Sequence, residues 1–175
     1  MVFTRRSIAY LIVILSLAGC TGLPRGIEPV DGFDLNRYLG KWYEIARLDH
    51  GFERGLTRVT AEYSLRVDGG VEVLNRGYSP ADKRWKEATG KAYFVRDSNE
   101  GYLKVSFFGP LYASYVVFEL DKEHYQYAYV TGYDKSYLWL LSRTPVVNEA
   151  LFERFVERSK ALGFATENLI YVEQD

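Results

Sequence analysis

The chain has 175 residues, enough for one domain, and its 15 tyrosines and 10 phenylalanines favour strands around an apolar interior. Its formal net charge of −1 gives no basic excess, which argues against nucleic acid as a partner. Two histidines and one cysteine leave little material for a metal site, so we expect neither a metal nor another cofactor.

Residues 1–19 have the organisation of an export signal. Arg5 and Arg6 form a charged start, and the apolar stretch at 8–18 is shorter than the roughly 20 residues that a membrane span needs. Leu17-Ala18-Gly19-Cys20 resembles the bacterial lipoprotein signal, in which the cysteine becomes the acylated first residue. Plain signal-peptide cleavage that leaves a free thiol on Cys20 is the alternative.

Residues 20–33 are expected to anchor the protein and to act as a tether. More than one acyl chain on Cys20 makes attachment to a membrane stable. Thr21 follows the cysteine where some lipoproteins carry aspartate, and in the bacterial pattern this implies the outer membrane, with the protein facing the periplasm. Three glycines and two prolines between Thr21 and Phe33 indicate a segment without a core of its own. Residues 34–175 then form one barrel domain.

From residue 39 onward, short strand-like runs alternate with turn signals such as Asp68-Gly69-Gly70 and Gly109-Pro110, which is typical of an all-β sandwich or barrel. Each run connects to its sequence neighbour through a short turn. The pattern therefore predicts an eight-stranded, antiparallel, up-and-down barrel that can hold one small ligand. The predicted strands are 41–49, 57–67, 71–78, 85–95, 102–108, 114–120, 125–131 and 137–143.

After Pro145 the apolar period becomes helical. Asn148 is a candidate N-cap, and the apolar positions 151, 152, 155 and 162 share one face until Gly163 ends the helix. A membrane-surface helix is one interpretation. The charged opposite face favours packing against the outside of the barrel, followed by a short final strand at 169–172.

Two motifs about a hundred residues apart predict the floor of this barrel. Gly40 lets the backbone bend tightly before Trp42, whose ring supplies a large apolar plug. Arg143 follows the last strand and can lay its guanidinium over the Trp42 ring. Glu44 lies on the same inward face, and we expect it to pair with Arg143 or with another floor residue.

The alternation of side chains along each strand predicts which residues face the interior and contact a ligand. Small residues cluster on the fourth strand and favour a hollow lumen over a filled one. Asn75 and Tyr115 are polar members of the inward set, and each bonds either to the wall or to a ligand head group. The predicted ligand-contacting residues are Ala61, Tyr63, Leu65, Val73, Asn75, Ala88, Ala92, Phe94, Val105, Phe107, Tyr115, Val117, Tyr137 and Trp139.

Taken together, these motifs resemble those of lipocalins. The Gly-x-Trp strand, the meander, Arg143 and the following helix match the general pattern, and the runs 42–47, 104–110 and 137–145 are similar to bacterial lipocalins, outer-membrane lipoproteins related to apolipoprotein D. The resemblance covers residues 33–173. It implies carriage of a fatty acid or lysophospholipid for storage, transport or maintenance of envelope lipid under stress, and it allows a homodimer. The segment 121–128 is about one residue longer than the family pattern, which leaves the register of the seventh strand open.

Three other functions fit parts of the sequence. A lipid-processing enzyme would use Glu44 as an inward carboxylate with a raised pKa, but no nucleophile elbow, H-E-x-x-H motif or phosphate loop accompanies it. A haem carrier needs an inward axial histidine, whereas His50 and His124 fall in predicted loops. A structural surface lipoprotein would have a solid barrel and no small ligand. We predict a carrier and no enzymatic activity.

Overall fold

The computed structural model describes residues 21–175, and the predicted signal peptide and lipidation site, residues 1–19 and Cys20, lie outside the described residues. Within residues 21–175 there are nine strands in one antiparallel sheet. The strands are β1 (Gly40–Leu48), β2 (Thr57–Leu65), β3 (Val71–Ser79), β4 (Arg84–Phe94), β5 (Tyr102–Phe108), β6 (Leu111–Leu120), β7 (Tyr127–Thr131), β8 (Leu138–Ser142) and β9 (Leu169–Tyr171).

The predicted barrel and its up-and-down order are confirmed. Strands β2 to β8 pair with their sequence neighbours, and β1 closes the wall because it pairs with both β8 and β2. Strand β9 pairs with β1 beyond its contact with β2, so it lies outside the eight-stranded wall. The antiparallel connections place the β1–β2, β3–β4, β5–β6 and β7–β8 turns at one end, which we call the mouth. The floor is the opposite end.

The register of β7, which the sequence leaves open, depends on a bulge in the neighbouring strand. Val117 pairs with Val130 and Leu120 with Ala128, and the register shifts between them. Strand β7 begins at Tyr127, two residues later than predicted, because Tyr125 adopts a positive φ of 56° and is buried beneath the barrel. Strand β6 begins three residues earlier than predicted, since the turn before it is very short.

The C-terminal helix α2 (Glu149–Ala161) packs outside the barrel as predicted. The side chain of Asn148 accepts a hydrogen bond from the Leu151 N–H at 2.8 Å and so caps the first turn. Leu151 and Phe155 are buried in an outer cluster with Phe118 and Tyr129. Each large apolar side chain buried there contributes about 1.5–3 kcal/mol. No helix within residues 21–175 is long and apolar enough to cross a membrane.

The segment expected to be a tether instead packs against the barrel. Ile27 is 2% exposed, and the N–H of Val30 donates to the carbonyl of Val117 at 2.9 Å. Phe33 is also buried, and it leads into the short helix α1 (Leu35–Tyr38), which the sequence did not predict. The glycines and prolines of this segment suggest a tether, but its apolar side chains Ile27, Val30 and Phe33 pack against the outer surface and the floor of the barrel.

Candidate ligand-binding site

The floor of the barrel depends on the contact between Trp42 and Arg143. The guanidinium carbon of Arg143 lies 3.9 Å from the centroid of the Trp42 ring, as the sequence predicts, and Trp42 is fully buried. The indole N–H donates to the carbonyl of Tyr38 at 2.8 Å. Gly40 has a φ of 90°, a conformation that favours glycine, and its Cα faces the same guanidinium. The Gly40–Trp42 motif and Arg143, about a hundred residues apart in the chain, therefore pack together and close the floor of the barrel.

Arg143 also donates to backbone carbonyls at the end of helix α1 and at the start of β1. Its two terminal nitrogens donate to the carbonyls of Arg37, Tyr38, Leu39 and Lys41 at 2.7–3.2 Å. The remaining nitrogen, Nε, donates to the carbonyl of Tyr125 at 3.2 Å. Partial burial lowers the pKa of Arg143, but a guanidinium remains charged throughout the accessible pH range. One side chain thus joins the N-terminal segment, β1 and the β6–β7 turn.

Glu44 was expected to belong to the floor and to pair with Arg143 or another floor residue, but it pairs instead with Arg47, towards the mouth. The Arg47 Nη1 donates to Glu44 Oε1 at 2.7 Å, and both side chains are buried. A bulge in β1 between Glu44 and Ala46 shifts the alternation, so that Arg47 turns inward. Sequence alternation cannot reveal this pair because the bulge adds one residue to the count.

This ion pair belongs to a buried polar group at the mouth, which we call the mouth cluster: Glu44, Arg47, His50, Glu53 and Trp139. Arg47 donates to the carbonyl of Glu53 at 2.9 Å, and the Trp139 indole donates to Glu53 Oε2 at 3.1 Å. The Nε2 atom of His50 lies 3.1 Å from the same carboxylate. The cluster holds the β1–β2 loop, residues 49–56, over the lumen.

Burial raises the pKa of Glu44 well above the ordinary range of a glutamate. The negative charge of Glu53 raises it further, and these two effects outweigh the opposing attraction of Arg47. Glu44 therefore binds its proton more tightly in the folded protein than in the unfolded chain. His50, which the sequence places in a loop, is 7% exposed and stacks on Phe52 with a ring separation of 4.1 Å.

An enclosed cavity lies just above the floor. Its volume of about 20 Å³ has room for roughly one water molecule, not for an acyl chain. The expected hollow lumen is therefore largely filled in this conformation. The lining residues are apolar or tyrosine: Phe33, Leu35, Tyr38, Tyr63, Val71, Val73, Ala92, Leu103, Val105 and Tyr115.

The three tyrosines of this lining form a short hydrogen-bonded chain. The hydroxyl of Tyr115 lies 2.7 Å from that of Tyr38 and 2.8 Å from that of Tyr63. Burial raises the pKa of all three hydroxyls, so they stay protonated and neutral. The chain satisfies polar groups inside the barrel without introducing a charge.

The predicted ligand-contacting residues fall into three groups. Those that line the cavity are Tyr63, Val73, Ala92, Val105 and Tyr115. Those that pack in or against the same interior core are Ala61, Phe94, Phe107, Val117 and Trp139. Leu65 and Ala88 are exposed, while Tyr137 stacks on Trp139 near the mouth and Asn75 is partly buried.

The two exposed positions have a common physical reason, because the wall is incomplete beside each of them. Strand β1 begins at Gly40, opposite Tyr63, so no residue of β1 covers Leu65. Strand β4 pairs with β5 only at residues 91–94, which leaves Ala88 uncovered on one side.

Sequence reasoning missed the contribution of the N-terminal segment to this site. Phe33, Leu35 and Tyr38 fill the bottom of the lumen, although they precede the first strand. Val71 and Leu103 complete the lining from strands whose inward faces the alternation does identify. Within residues 21–175, no group of three or more His, Cys, Asp or Glu could hold a metal ion.

Comparison with known proteins identifies the same architecture. A profile of the lipocalin-like domain matches residues 33–174. The chain is 61% identical over 169 residues to the outer membrane lipoprotein Blc of Vibrio cholerae, covering 97% of this chain and 99% of that protein. It is 33% identical over 151 residues to bovine apolipoprotein D, covering 77% and 79% of the two chains. Insecticyanin of the tobacco hornworm Manduca sexta shares the fold, with a TM-score of 0.69, 20% identity and coverage of 87% and 86%.

Replacement of the partly buried Arg143 should destabilise the fold more than replacement of an exposed arginine. We expect Arg143→Ala to lower the free energy of unfolding by about 2–4 kcal/mol, because it removes the stacking on Trp42 and leaves several carbonyls without their donor. Arg54→Ala is the matched control, since the contact of Arg54 among the described residues is an exposed ion pair with Asp49, and its loss should change stability by less than about 1 kcal/mol. Urea denaturation of both variants measures the difference. Equal effects would contradict the assigned role.

Glu44 should make stability depend on pH. Since its pKa is raised in the fold, its contribution is fully present below the unfolded value of about 4.3 and is lost as the pH rises through the folded value. We expect Glu44→Gln to remove this decline, which can reach about 1.4 kcal/mol per pH unit for one proton. Urea denaturation across a pH series measures the slope. The exposed Glu72→Gln should retain the wild-type slope, and an unchanged slope in Glu44→Gln would disprove the assignment.

Proposed function

The chain belongs to the lipocalin family, and from this membership we propose that its barrel binds and carries a lipophilic ligand, a fatty acid or a lysophospholipid. The carrier would serve storage, transport or maintenance of envelope lipid under stress. The observation that carries the proposal is a closed barrel whose inner cavity is lined only by apolar side chains and tyrosines and is plugged at one end by Trp42 and Arg143.

Burial of an acyl chain supplies enough free energy for carriage. Each methylene moved from water into an apolar lumen contributes about 0.8 kcal/mol, so some fifteen methylenes give roughly 12 kcal/mol before costs. Association and ordering remove a large part of this gain and leave micromolar or tighter binding. None of the cavity-lining residues carries a charge that would have to be desolvated.

Entry of a chain requires side chains to move, because the enclosed cavity is small. The ring of Phe107 occupies the space beside Gly90, where an added Cβ would lie 2.8 Å from it. Phe107 also lines a cleft of about 210 Å³ between β4 and β5 on the outer side of the wall. Rotation of this ring would open room beside the small residues of β4. The β1–β2 loop, which the mouth cluster holds over the lumen, is the second element that would have to move aside.

Asn75 offers a hydrogen-bond acceptor for a ligand. Its Oδ1 atom is buried and has no hydrogen-bond partner anywhere in the part of the chain that the structure describes. Asn75 pairs with Ala61 on β2 and Ala88 on β4, so only small side chains flank it on this face. A buried acceptor without a donor costs about 1–3 kcal/mol, which a ligand hydroxyl would recover. A lysophospholipid carries such a hydroxyl on its glycerol.

The proposed place of action is the outer membrane. The Vibrio cholerae relative bears the name outer membrane lipoprotein, and the sequence Leu17-Ala18-Gly19-Cys20 matches acylation of the cysteine. We therefore place the barrel at the periplasmic side of that membrane, attached through Cys20, with a homodimer as a further proposal. As a lipocalin the chain is a binding protein and not an enzyme, which leaves Glu44 a structural part of the mouth cluster.

Native mass spectrometry of the protein purified from cells in mild detergent tests carriage directly. A mass increment that matches a fatty acid or lysophospholipid, released on denaturation, is expected. Protein without any bound lipid that also fails to bind added lipid would overturn the proposal and favour a structural lipoprotein. A titration with haem that produces no Soret shift is expected, because His50 is engaged beside the Glu53 carboxylate in the mouth cluster and is not among the cavity-lining residues.

Ala92→Leu should weaken acyl-chain binding. Ala92 lines the cavity, so a larger side chain occupies space that the ligand needs, and we expect at least a tenfold rise in the dissociation constant for cis-parinaric acid. Thr89→Leu, on the outward face of the same strand, should leave the constant unchanged. Fluorescence titration gives both values, and Val105→Phe repeats the test if the first variant does not fold. Unaltered affinity in both cavity variants would place the ligand elsewhere.

Asn75→Leu should distinguish an acyl ligand that carries a hydroxyl from one that carries none. Removal of the acceptor should weaken binding of a lysophospholipid about tenfold but leave a fatty acid methyl ester, which has no hydroxyl, nearly unaffected. Stability should not fall, because the wild-type oxygen lacks a partner. Competition against cis-parinaric acid measures both ligands, and Glu72→Leu on the outward face of β3 is the control. An equal loss for both ligands would show that Asn75 does not bind the hydroxyl.

A further inference from the structure

The mouth end of the barrel exposes large apolar side chains on two of its turns, the β5–β6 turn and the β1–β2 loop across the barrel from it. Phe108 and Leu111 face each other across the β5–β6 turn, at 79% and 59% exposure. Phe52 on the β1–β2 loop is 59% exposed, and Pro110 completes the tip between the first pair. Single exposed apolar residues are common on protein surfaces, but a turn whose tip consists of Phe, Gly, Pro and Leu is an unusual solvent-facing structure.

The N-terminal segment leads to this same part of the barrel. The hydroxyl of Tyr102 donates to the carbonyl of Thr21, and the hydroxyl of Ser114 donates to the carbonyl of Gly22 at 2.6 Å. Both donors lie on the outer wall formed by β5 and β6. From Val30, near the floor, the segment therefore runs back along the wall to Gly22 at the level of Ser114, and Thr21 is held by the Tyr102 side chain, which rises from the floor end of β5.

The remaining distance to the predicted anchor is short. Cys20 is two residues before Gly22, so the two Cα atoms are at most about 7 Å apart. Ser114 is three residues from Leu111, the first residue of β6, which corresponds to about 10 Å along the strand. An acylated Cys20 would thus hold the membrane surface within reach of the β5–β6 turn, and it would hold the floor farther away.

The charge of the adjoining β3–β4 turn suits an anionic lipid surface. This turn carries Lys83, and Arg84 and Lys86 follow at the start of β4, where Lys86 pairs with Asp82 at 2.6 Å. Trp85 follows at 47% exposure and lies near the guanidinium groups of Arg58 and Arg76. A mixture of exposed aromatic and basic side chains is typical of segments at the membrane interface.

We propose that the mouth of the barrel docks on the anionic bilayer that holds the anchor, with Phe108, Pro110 and Leu111 inserted at the interface and the basic β3–β4 turn against the head groups. This inference rests on the proposed acylation of Cys20. A lumen that opens towards the bilayer lets an acyl chain pass between membrane and barrel without crossing water. The bilayer is thus both the partner of the mouth and the source of the ligand.

Single-cysteine labelling of the full, acylated protein tests this orientation. The acylated Cys20 has no free thiol and no other cysteine is present, so Phe108→Cys or Leu111→Cys supplies the one site for an environment-sensitive fluorophore. Val67→Cys is the matched control, because Val67 is fully exposed on the β2–β3 turn at the floor. The labelled proteins are reconstituted in vesicles of phosphatidylethanolamine with phosphatidylglycerol. Brominated acyl chains in the same vesicles then act as depth-dependent quenchers.

We expect the emission of the labels at 108 and 111 to shift to the blue and to be quenched by brominated lipid, while the label at 67 remains unaffected. Equal quenching at all three positions, or none at 108 and 111 on protein that sediments with the vesicles, would overturn the docking. Protein that does not sediment at all would show that the anchor has failed. A blue shift at 108 without any lipid would identify a second copy of the chain as the occupant of this turn.

The basic turn provides an independent measurement. For chain that lacks Cys20 and the preceding residues, we expect binding to the same vesicles to weaken about fivefold for each of Lys83→Gln and Arg84→Gln and to fall with added salt. Lys122→Gln, on the β6–β7 turn at the floor, should change nothing. Equal losses for mouth and floor variants would contradict the assigned face. Ligand affinity, measured with cis-parinaric acid away from vesicles, should stay unchanged, which separates docking from carriage.

Discussion

The fold depends above all on how one guanidinium is satisfied. Arg143 covers the face of Trp42 and donates hydrogen bonds to carbonyls from helix α1, the start of β1 and the β6–β7 turn. These carbonyls would otherwise be orphaned at a helix end and at a strand start, where no regular ladder can reach them. The planar donor fork of arginine fits both tasks at once, and the shorter, compact ammonium of lysine cannot replace it. This contact therefore closes one end of the barrel, because it joins helix α1, β1 and the β6–β7 turn.

The same interior side chains must pack closely in the ligand-free protein and move aside when a lipid binds. Aromatic rings from the N-terminal segment and from β5 close-pack the interior and stabilise the protein without a ligand. A ligand must displace some of that packing, so its own apolar surface has to replace the contacts that it breaks. The three linked tyrosine hydroxyls satisfy one another, so the polar groups among these rings need no partner from a ligand.

The two ends of the barrel differ in how they are closed. The floor is sealed by stacking and by hydrogen bonds to backbone atoms, whereas the mouth is covered by a loop held through Arg47 and Glu53. The loop at the mouth is held by a few side-chain contacts, namely the donation from Arg47 to the Glu53 carbonyl and that from the Trp139 indole to the Glu53 carboxylate. The N-terminal segment joins these ends, since it enters the floor through Phe33 and runs along the outer wall towards the mouth.

The sequence by itself determined the number and order of the barrel strands, the plug at the floor and the outer helix. The strands and the helix follow from local alternation and turn chemistry, and the plug follows from the pairing of Trp42 with Arg143. It also placed Tyr63, Val73, Ala92, Val105 and Tyr115 on the inward face. Only the tertiary structure decided the rest. A bulge in β1 turned Arg47 inward to Glu44, the N-terminal segment supplied Phe33 and Tyr38 to the lumen, and the ends of neighbouring strands left Leu65 and Ala88 uncovered. These features depend on contacts between distant residues and on where a neighbouring strand stops, which no period within one strand can encode.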